Sequence, residues 1–195
     1  MQFEIKRAEL RDVDELSCIM EAVAARMEQP AWFMQDDRAY IEANIGERPL
    51  SGTDKGFILK VLAYGEGNNF RSRSIPKLEP ITDPETAGFF MVHFPGLSEE
   101  NLGRDIGLSV EKQALVAHMD SVVILPEYRG HGLQHMLMKE AERIIKSETG
   151  YRILMATVHP DNTYSLRNVK AHGYEVAAKA IKYGGHPRYI LKKEI

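Results

Sequence analysis

The sequence has 195 residues, of which 44% are hydrophobic and 27% charged, so its composition is that of a globular domain and not of a disordered chain. Its formal net charge of -3 gives no basis for general binding to nucleic acids or membrane surfaces, and no apolar run approaches the roughly 20 residues of a membrane-spanning helix. Cys18 is the only cysteine, which excludes an internal disulfide and favours a reducing cytoplasm, with Cys18 as a small buried residue. We therefore predict a single domain over residues 1–195, with no nucleic-acid partner and no membrane partner.

The N-terminal part of the sequence predicts one strand followed by two helices. Residues 3–7 alternate apolar with polar side chains, as in a short strand. Asp12 begins a helix whose apolar side chains recur on one face, namely Val13, Leu16, Met20, Val23 and Met27. Asp36 or Asp37 can then cap a second helix that continues through Ile45.

The middle of the sequence predicts two strands and two insertions. Residues 57–64 and 87–94 are rich in apolar side chains and are expected to pair as antiparallel neighbours. Residues 65–85 between them are polar and unusually long for a loop of a compact domain. Residues 95–113 form the second insertion, with a short helix near 109–115.

The second half of the sequence alternates strands with helices, which predicts an α/β fold with an α+β order of elements. Its predicted elements are a central strand (116–125), a helix (130–146), a mostly apolar strand (151–158), a short helix (163–172) and two closing strands (174–183 and 189–193). The centre of the fold is therefore one strand–helix–strand crossover.

The turn between the central strand and its helix is the part of the sequence that points most clearly to a ligand. Gly130 and Gly132 lack a Cβ atom, so the backbone can approach a ligand closely and adopt positive φ. The free N–H groups at the helix N-terminus favour a phosphate, and Arg129, His131 and His135 keep the turn basic. A simpler explanation is an ordinary tight turn in which the glycines only satisfy the geometry.

Other binding patterns fit this turn less well. The Gly-x-x-x-x-Gly-Lys-Ser/Thr pattern of a P-loop is absent. A dinucleotide-binding turn would have a third glycine where His135 stands and an acid near 157–159, which argues against a nucleotide-dependent oxidoreductase. His131 and His135 are four residues apart, but no third ligand is evident, so we predict no metal site.

Two segments resemble the signatures of the GNAT superfamily of acyl-CoA-dependent N-acyltransferases. Residues 122–134 resemble its motif A, in which Arg129 and Gly132 match and Gln134 departs from the usual small residue. Residues 159–174 resemble the second signature of the family, with an asparagine after the strand and Gly-Tyr after the helix. The resemblance implies a GNAT fold, with a mixed central sheet of about six to seven strands flanked by about four helices. The two long insertions do not belong to the common core of that fold.

The resemblance also implies which residues hold the cofactor. In this family the turn binds the pyrophosphate of coenzyme A, and the preceding strand splays from its neighbour so that main-chain groups pair with the pantetheine arm. By position, the residues expected to bind acetyl-CoA are Val122, Val123, Ile124, Arg129, Gly130, His131, Gly132, Leu133, Gln134, His135 and Asn162. An equally good role for Asn162 is to cap the following helix, and the two roles are compatible.

Acetyl transfer to an amine requires a base, because an amine with a pKa of about 10.4 is almost fully charged at neutral pH. His118 and Asp120 lie two residues apart on one face of the central strand, and a carboxylate beside an imidazole would raise the pKa of the histidine. The alternative is a structural pair that holds the strand end and the nearby insertion. The tyrosine that protonates the thiol in the family is replaced by Val169. Four tyrosines are candidates to replace it, Tyr164, Tyr174, Tyr183 and Tyr189, and water is another.

The substrate is expected between the first two helices and the second insertion. Trp32 and Phe33, beside acidic Asp36 and Asp37, suit a pocket for a cationic amine, although core packing explains them as well. Further negative charge in the insertion comes from Glu99, Glu100 and Asp105, which also suit a solvated loop.

We therefore predict a cytoplasmic, acetyl-CoA-dependent N-acetyltransferase that acts on a primary amine of a small molecule or peptide. The alternative is a catalytically weak GNAT-fold module that binds or senses acyl-CoA. The resemblance also allows a homodimer formed through the last strands.

Overall fold

A single mixed sheet dominates the computed structural model, which describes residues 1–65 and 84–195. The sheet has seven strands within these residues, in the spatial order β1-β2-β3-β4-β5-β7-β6. β4 and β5 are parallel, whereas every other neighbouring pair is antiparallel. The strands are β1 (Gln2–Arg7), β2 (Gly56–Tyr64), β3 (Glu85–His93), β4 (Val116–Ile124), β5 (Ile153–Val158), β6 (Glu175–Lys182) and β7 (His186–Glu194).

Five α-helices accompany the sheet in the described part of the chain. They are α1 (Val13–Ala24), α2 (Arg38–Ala43), α3 (Val110–Gln113), α4 (Leu133–Glu148) and α5 (Thr163–Ala171). The seven strands agree with the prediction, and α3 is the short helix predicted near residues 109–115. With this single turn, the helices number one more than the four that the resemblance implies. None of these helices is long and apolar enough to cross a membrane.

Helix α1 packs on one face of the sheet because its apolar side chains recur with helical spacing. Leu16 and Met20 are fully buried and share a cluster with Phe89, Met91 and Val123 of the sheet. Cys18, in contrast, is exposed, so its prediction as a small buried residue is wrong. Cys18 lies outside the apolar face of α1. The prediction from residue type alone did not take this position on the helix into account.

Helix α4 packs on the opposite face of the sheet. Leu137 and Ile145 are fully buried there with Leu59 of β2 and Ala117 of β4, in a cluster that also includes Val169 of α5. The central helix and the short helix after β5 therefore lie on the same side of the sheet, and their first turns both approach the end of β4.

The two predicted insertions differ in what the structure describes. Residues 66–83 of the first insertion lie outside the described residues. The second insertion packs against the sheet through Leu102, which is buried with Met155 and Ile190. It is fixed to the β6–β7 hairpin by an ion pair of 2.6 Å between Lys182 Nζ and Asp105 Oδ2.

Candidate active site

The centre of the sheet is open where β4 and β5 part. These two strands pair from Val116 with Ile153 to His118 with Met155, and no pairing continues beyond that point. A cavity of about 1090 Å³ lies at the parting and is lined by residues of both strands, including Ser121 of β4. The parting is the splay expected from the resemblance, and it leaves main-chain groups on the β5 side of β4 without a strand partner.

The turn after β4 forms one end of this cavity. Tyr128 anchors the turn, since its ring is buried and its hydroxyl donates to Glu85 Oε2 at 2.7 Å. Gly130 and Gly132 have φ of 83° and 72°, a conformation that favours glycine. No atom lies within 4 Å of the Cβ position at either glycine, so the space above the turn is open.

Helix α4 begins at this turn with its N–H groups available. Gly132 is the N-cap and offers no side-chain acceptor, and the first helical hydrogen bond runs from Met136 N–H to Gly132 O at 3.1 Å. Within the described residues, the main-chain N–H groups of residues 130–135 have no hydrogen-bond acceptor. Such a row of donors at the positive end of a 16-residue helix can bind a phosphate group.

Most of the predicted cofactor residues line the cavity. These are Val122, Ile124, Arg129, Gly130, Gly132, Leu133, Gln134, His135 and Asn162. The side chain of Val123 points to the opposite face of the sheet, where it is fully buried against α1. The ring of His131 packs on Phe3 at 5.3 Å between centroids, outside the cavity lining. For Val123 and His131, therefore, only main-chain atoms remain for a cofactor role, and the expected basic contribution of the His131 side chain is absent.

Gln134, the departure from the family pattern, has a specific partner in the structure. Its Oε1 accepts a hydrogen bond from Asn168 Nδ2 at 2.8 Å. The two amides join the first turn of α4 to α5 along the cavity. Asn162 lies at the start of α5 and caps it, since its Oδ1 accepts from Ser165 N–H at 3.0 Å. The capping role of Asn162 is thus present, and the residue also lines the cavity.

A β-bulge in β4 turns two consecutive side chains toward α2. Pairing with β3 passes from Val92–Met119 to Phe90–Val122, so β4 has one more residue than β3 over this step. The extra residue lies at Asp120–Ser121, and both side chains line the cavity. A regular strand would direct these two side chains to opposite faces.

The bulge places both side chains in hydrogen bonds with the segment around α2. Asp120 Oδ2 accepts from the hydroxyl of Tyr40 at 2.9 Å, and Ser121 Oγ donates to Asp36 Oδ2 at 2.7 Å. Tyr40 and Asp36 are 80 and 85 residues away from their partners in the sequence. Tyr40 and Ser121 had no signal in the sequence that could identify them as site residues, because the contacts depend on the packing of α2.

Asp120 has the protonation behaviour of a general base at neutral pH. Burial, together with the nearby charge of Asp36, raises the pKa of Asp120 to about 7, although the hydrogen bond from Tyr40 opposes the increase. Burial likewise raises the pKa of Asp36, against the hydrogen bond from Ser121. A base whose pKa lies close to the working pH combines a useful ionised fraction with a useful proton affinity.

His118 does not form the predicted pair with Asp120. Its Nε2 accepts a hydrogen bond from the main-chain N–H of Leu102 at 3.1 Å, which fixes the second insertion to the sheet. Burial and the neighbouring charges of His93 and Lys182 lower the pKa of His118 to about 3. The expectation that a carboxylate would raise this pKa is therefore wrong, because desolvation of the imidazolium dominates. The neutral imidazole that accepts this bond holds the insertion to the strand, as in the structural alternative, but without Asp120 as its partner.

The predicted substrate residues border the same cavity. Trp32 and Phe33 are half-buried and line it, and the ring of Trp32 lies 6.1 Å from that of His159. Glu99 and Glu100 of the second insertion also line the cavity. The remaining acids differ: Asp37 caps α2 by accepting from Tyr40 N–H, and Asp105 is used in the ion pair with Lys182.

The structure separates the four candidate tyrosines by position. Tyr174 is buried in the core, and Tyr189 lies outside the cavity lining, beneath Lys179. Tyr164 and Tyr183 line the cavity. Val169, in the place of the family's tyrosine, is buried in the core cluster and has no group that could donate a proton.

A protein-family model matches the part of the sequence that forms most of this site. Residues 82–174 match the model of the Acetyltransferase (GNAT) family. This segment therefore belongs to the Acetyltransferase (GNAT) family. The GNAT match includes β4, the glycine turn, α4, β5 and α5, and therefore the elements that surround the open end of the cavity.

Solved structures share the fold of the chain beyond the matched GNAT segment. An acetyltransferase of the GNAT family from Streptococcus pneumoniae matches with a TM-score of 0.62 and 15% identity, over 100% of both chains. NAA60 of Arabidopsis thaliana in complex with acetyl-CoA matches with a TM-score of 0.66 and 13% identity, over 100% of this chain and 99% of that one. A putative acetyltransferase from Salmonella typhimurium with its cofactor acetyl-CoA matches with a TM-score of 0.61 and 14% identity, over 98% and 93%. No curated protein has a significant match to this sequence. Identities this low establish a shared fold and leave the substrate open.

Proposed function

We propose that the protein transfers the acetyl group of acetyl-CoA to a primary amine of a small molecule or peptide. The observation that carries this proposal is the parting of β4 from β5 beside Asp120, with the open glycine turn at the end of the same cavity. We further propose that residues 1–195 act as one acetyltransferase domain, which the continuous seven-stranded sheet from β1 to β7 supports.

In the proposed complex, the glycine turn binds the diphosphate of acetyl-CoA. The N–H groups of residues 130–135 donate to phosphate oxygens, and the positive end of α4 adds a favourable electrostatic interaction. Exposed Arg129 supplies a positive charge at the mouth. The pantetheine arm then follows the unpaired edge of β4 from Ile124 back toward Val122, with Asn162 of α5 on the other side. This path brings the thioester to the parting of the strands.

Asp120 is the proposed general base. The incoming nitrogen loses a proton as it attacks the thioester carbonyl carbon, and the carboxylate of Asp120 can accept it directly or through water. The hydrogen bond from Tyr40 orients the carboxylate without neutralising it. A main-chain N–H near Val122 on the open edge of β4 is placed to donate to the oxygen that becomes negative in the tetrahedral intermediate.

The amine is proposed to enter between Trp32, Phe33 and the acidic side of the cavity. Two aromatic side chains and the carboxylate of Asp36 provide a surface that favours a cationic group before it is deprotonated. Two of the solved structures above contain acetyl-CoA, which fits the cofactor part of this proposal.

An amine screen tests the proposal. Acetyl-CoA is incubated with the protein and with panels of polyamines, amino acids, aminoglycosides and short peptides, and the free thiol of coenzyme A is measured. We expect thiol release that depends on the acceptor and is lost in Asp120→Asn, with Asp37→Asn as a matched control that retains activity. Tight acetyl-CoA binding without acceptor-dependent release across the panels would favour the alternative, an acyl-CoA-binding module.

The cellular location and the oligomeric state are two further parts of the proposal, and each has its own test. The single cysteine fits a reducing, cytoplasmic location, which fluorescence microscopy of a tagged protein can check. A homodimer through the last strands is compatible with β6 as an edge strand of the sheet, and light scattering of the purified protein would detect it.

A further inference from the structure

We propose that Tyr183 is the acid that protonates the departing thiolate of coenzyme A. This inference rests on the proposed acetyl transfer and names a residue for the step that Val169 cannot perform. Tyr183 lies in the β6–β7 turn, far in the sequence from the position of the family's tyrosine, and its side chain lines the cavity.

The phenol of Tyr183 is fixed to the β5 side of the parting. Its hydroxyl is 3.1 Å from Thr157 Oγ1. Thr157 lies two residues beyond Met155 on β5, and Asp120 lies two residues beyond His118 on β4, where His118 and Met155 are the last paired residues. Asp120 and Thr157 therefore stand at the same level of the sheet, on opposite sides of the opening. A base and a phenol thus face each other across the place proposed for the thioester.

The backbone holds Tyr183 in a conformation that is unusual for its residue type. Its φ is 52°, in the left-handed region, and Gly184 and Gly185 follow with φ of 76° and 110°. This region is sterically unfavourable for a non-glycine residue, so other contacts must compensate for it. The guanidinium of buried Arg188 lies 5.4 Å from the centre of the Tyr183 ring, and Thr157 holds the hydroxyl. The turn thus keeps this side chain at the cavity against a local conformational preference.

The phenol is in the protonated form that a general acid requires. Burial raises the pKa of Tyr183, and the charges of Asp120 and Asp36 act in the same direction, while the hydrogen bond with Thr157 and the charge of Arg188 oppose them. Either hydroxyl of the Tyr183–Thr157 pair can be the donor. When Thr157 donates, the phenolic proton of Tyr183 is free to point into the cavity.

The proposed step balances with the groups present. The ammonium group of the acceptor first loses one proton to water that enters the open cavity. The neutral amine nitrogen then forms a bond to the acetyl carbon and gives a second proton to Asp120, and the tetrahedral intermediate collapses with cleavage of the carbon–sulfur bond. The sulfur takes the electron pair of that bond and the proton of the Tyr183 hydroxyl. The products are the acetylated amine and the free thiol of coenzyme A. Water in the open cavity returns a proton to the phenolate and removes one from Asp120.

The other hydroxyls at the cavity fit this role less well. Tyr164 is 61% exposed, against 39% for Tyr183, and its ring lies under the guanidinium of Arg167 at 5.7 Å. The hydroxyl of Tyr40 already donates to Asp120 on the side of the base. Among the tyrosines of the described cavity lining, only Tyr183 lies at the parting with its proton uncommitted to a carboxylate.

The test compares three variants with the wild type, using the best acceptor from the amine screen. We expect Tyr183→Phe to lower kcat roughly 100-fold to 1000-fold, with little change in the KM for acetyl-CoA or in the melting temperature. Tyr164→Phe is the matched control at the same cavity and should retain kcat. Thr157→Val removes the hydrogen bond but leaves the phenol, so it should lower kcat much less than Tyr183→Phe does.

A pH profile separates an acid from a structural residue. Because burial raises the pKa of Tyr183, we expect the kcat of the wild type to fall only at a pH above the ordinary range of a tyrosine. Replacing Tyr183 with 3,5-difluorotyrosine, whose phenol is more acidic, should bring a basic limb of kcat down to lower pH. An unchanged basic limb, an unchanged kcat in Tyr183→Phe, or a rise only in the KM for the amine would overturn the assignment. Absence of turnover in the wild type would instead count against the proposed function itself.

Discussion

The surroundings of Asp120 suit a site residue, but they lower the stability of the folded protein when its carboxylate is ionised. Its carboxylate faces the cavity, is half-buried, and lies near the second acid, Asp36. These surroundings raise its pKa to about 7, whereas a carboxyl in an unfolded chain titrates near 3.9. Because folding raises this pKa, protonated Asp120 contributes fully to the stability of the folded state below about pH 3.9. This contribution to stability is lost as the pH rises through about 7.

Asp120→Asn should therefore stabilise the protein at alkaline pH while impairing catalysis. Asparagine carries no charge and keeps an oxygen that can accept the Tyr40 hydroxyl, so at pH 8 we expect a gain on the order of 2–4 kcal/mol in the free energy of unfolding. At pH 4 the two proteins should differ little. Urea unfolding at both pH values measures the difference, and equal stability at pH 8 would argue against a raised pKa.

The same carboxylate should set the acid limb of the reaction. Because the base works in its ionised form, kcat should rise as the pH increases through about 7 and then level off. Steady-state rates between pH 5 and 9 with a saturating acceptor measure this limb. A rate that is flat across the interval, with chemistry rate-limiting, would exclude Asp120 as the base.

His118 shows why residue type and spacing were not sufficient at this position. The spacing of two residues along a strand predicts a His118–Asp120 pair, but the imidazole instead accepts from the main-chain N–H of Leu102, which belongs to the second insertion. The packing of that insertion could not be predicted from local patterns. Burial beneath it lowers the pKa of His118 instead of raising it.

Replacing His118 should weaken the protein in a pH-dependent way. His118→Phe leaves the buried N–H of Leu102 without an acceptor, which costs about 1–3 kcal/mol at pH 8. In the wild type, the lowered pKa of about 3 means that the histidine stabilises the fold above its ordinary pKa of about 6.5 and that this contribution is lost as the pH falls. The stability difference should therefore shrink between pH 6.5 and pH 4. A difference that grows with acidity would contradict this explanation.

At the scale of elements, the site depends on three local irregularities. β4 parts from β5 after His118, a bulge at Asp120–Ser121 redirects two side chains, and two glycines start α4. The glycine turn was visible in the sequence because glycine itself is the signal. The bulge was not, because an extra residue in a strand becomes evident only when its partner strand is known.

The contact between α4 and α5 is a second feature that only the structure reveals. Gln134 and Asn168 hydrogen-bond along the cavity, and we expect this contact to contribute about 0.5–1.5 kcal/mol. A double-mutant cycle with Gln134→Ala and Asn168→Ala, followed by thermal or urea unfolding, measures the coupling. Strictly additive effects of the two substitutions would show that the contact does not stabilise the packing of the helices.

At the scale of the whole molecule, the order of strands and helices was predictable from the sequence, and the site was predictable in part. Hydrophobic periodicity identified the seven strands and the helices, since burial on a sheet or helix face leaves a repeating pattern. The cavity wall formed by Asp36, Tyr40 and the second insertion was not predictable in the same way. Tyr40 and Asp36 contact residues that are 80 and 85 positions away in the sequence, and a local sequence pattern cannot predict such contacts.

The proposed function depends on the binding of the acetyl-CoA diphosphate by main-chain amides at the glycine turn. This binding can be measured by titrating ¹⁵N-labelled protein with coenzyme A and following its amide resonances. We expect the largest shifts at Gly130, Gly132 and Gln134, followed by residues 122–124 on the open edge of β4. Saturable binding with unmoved resonances at these residues, and shifts confined to a different part of the chain, would contradict it.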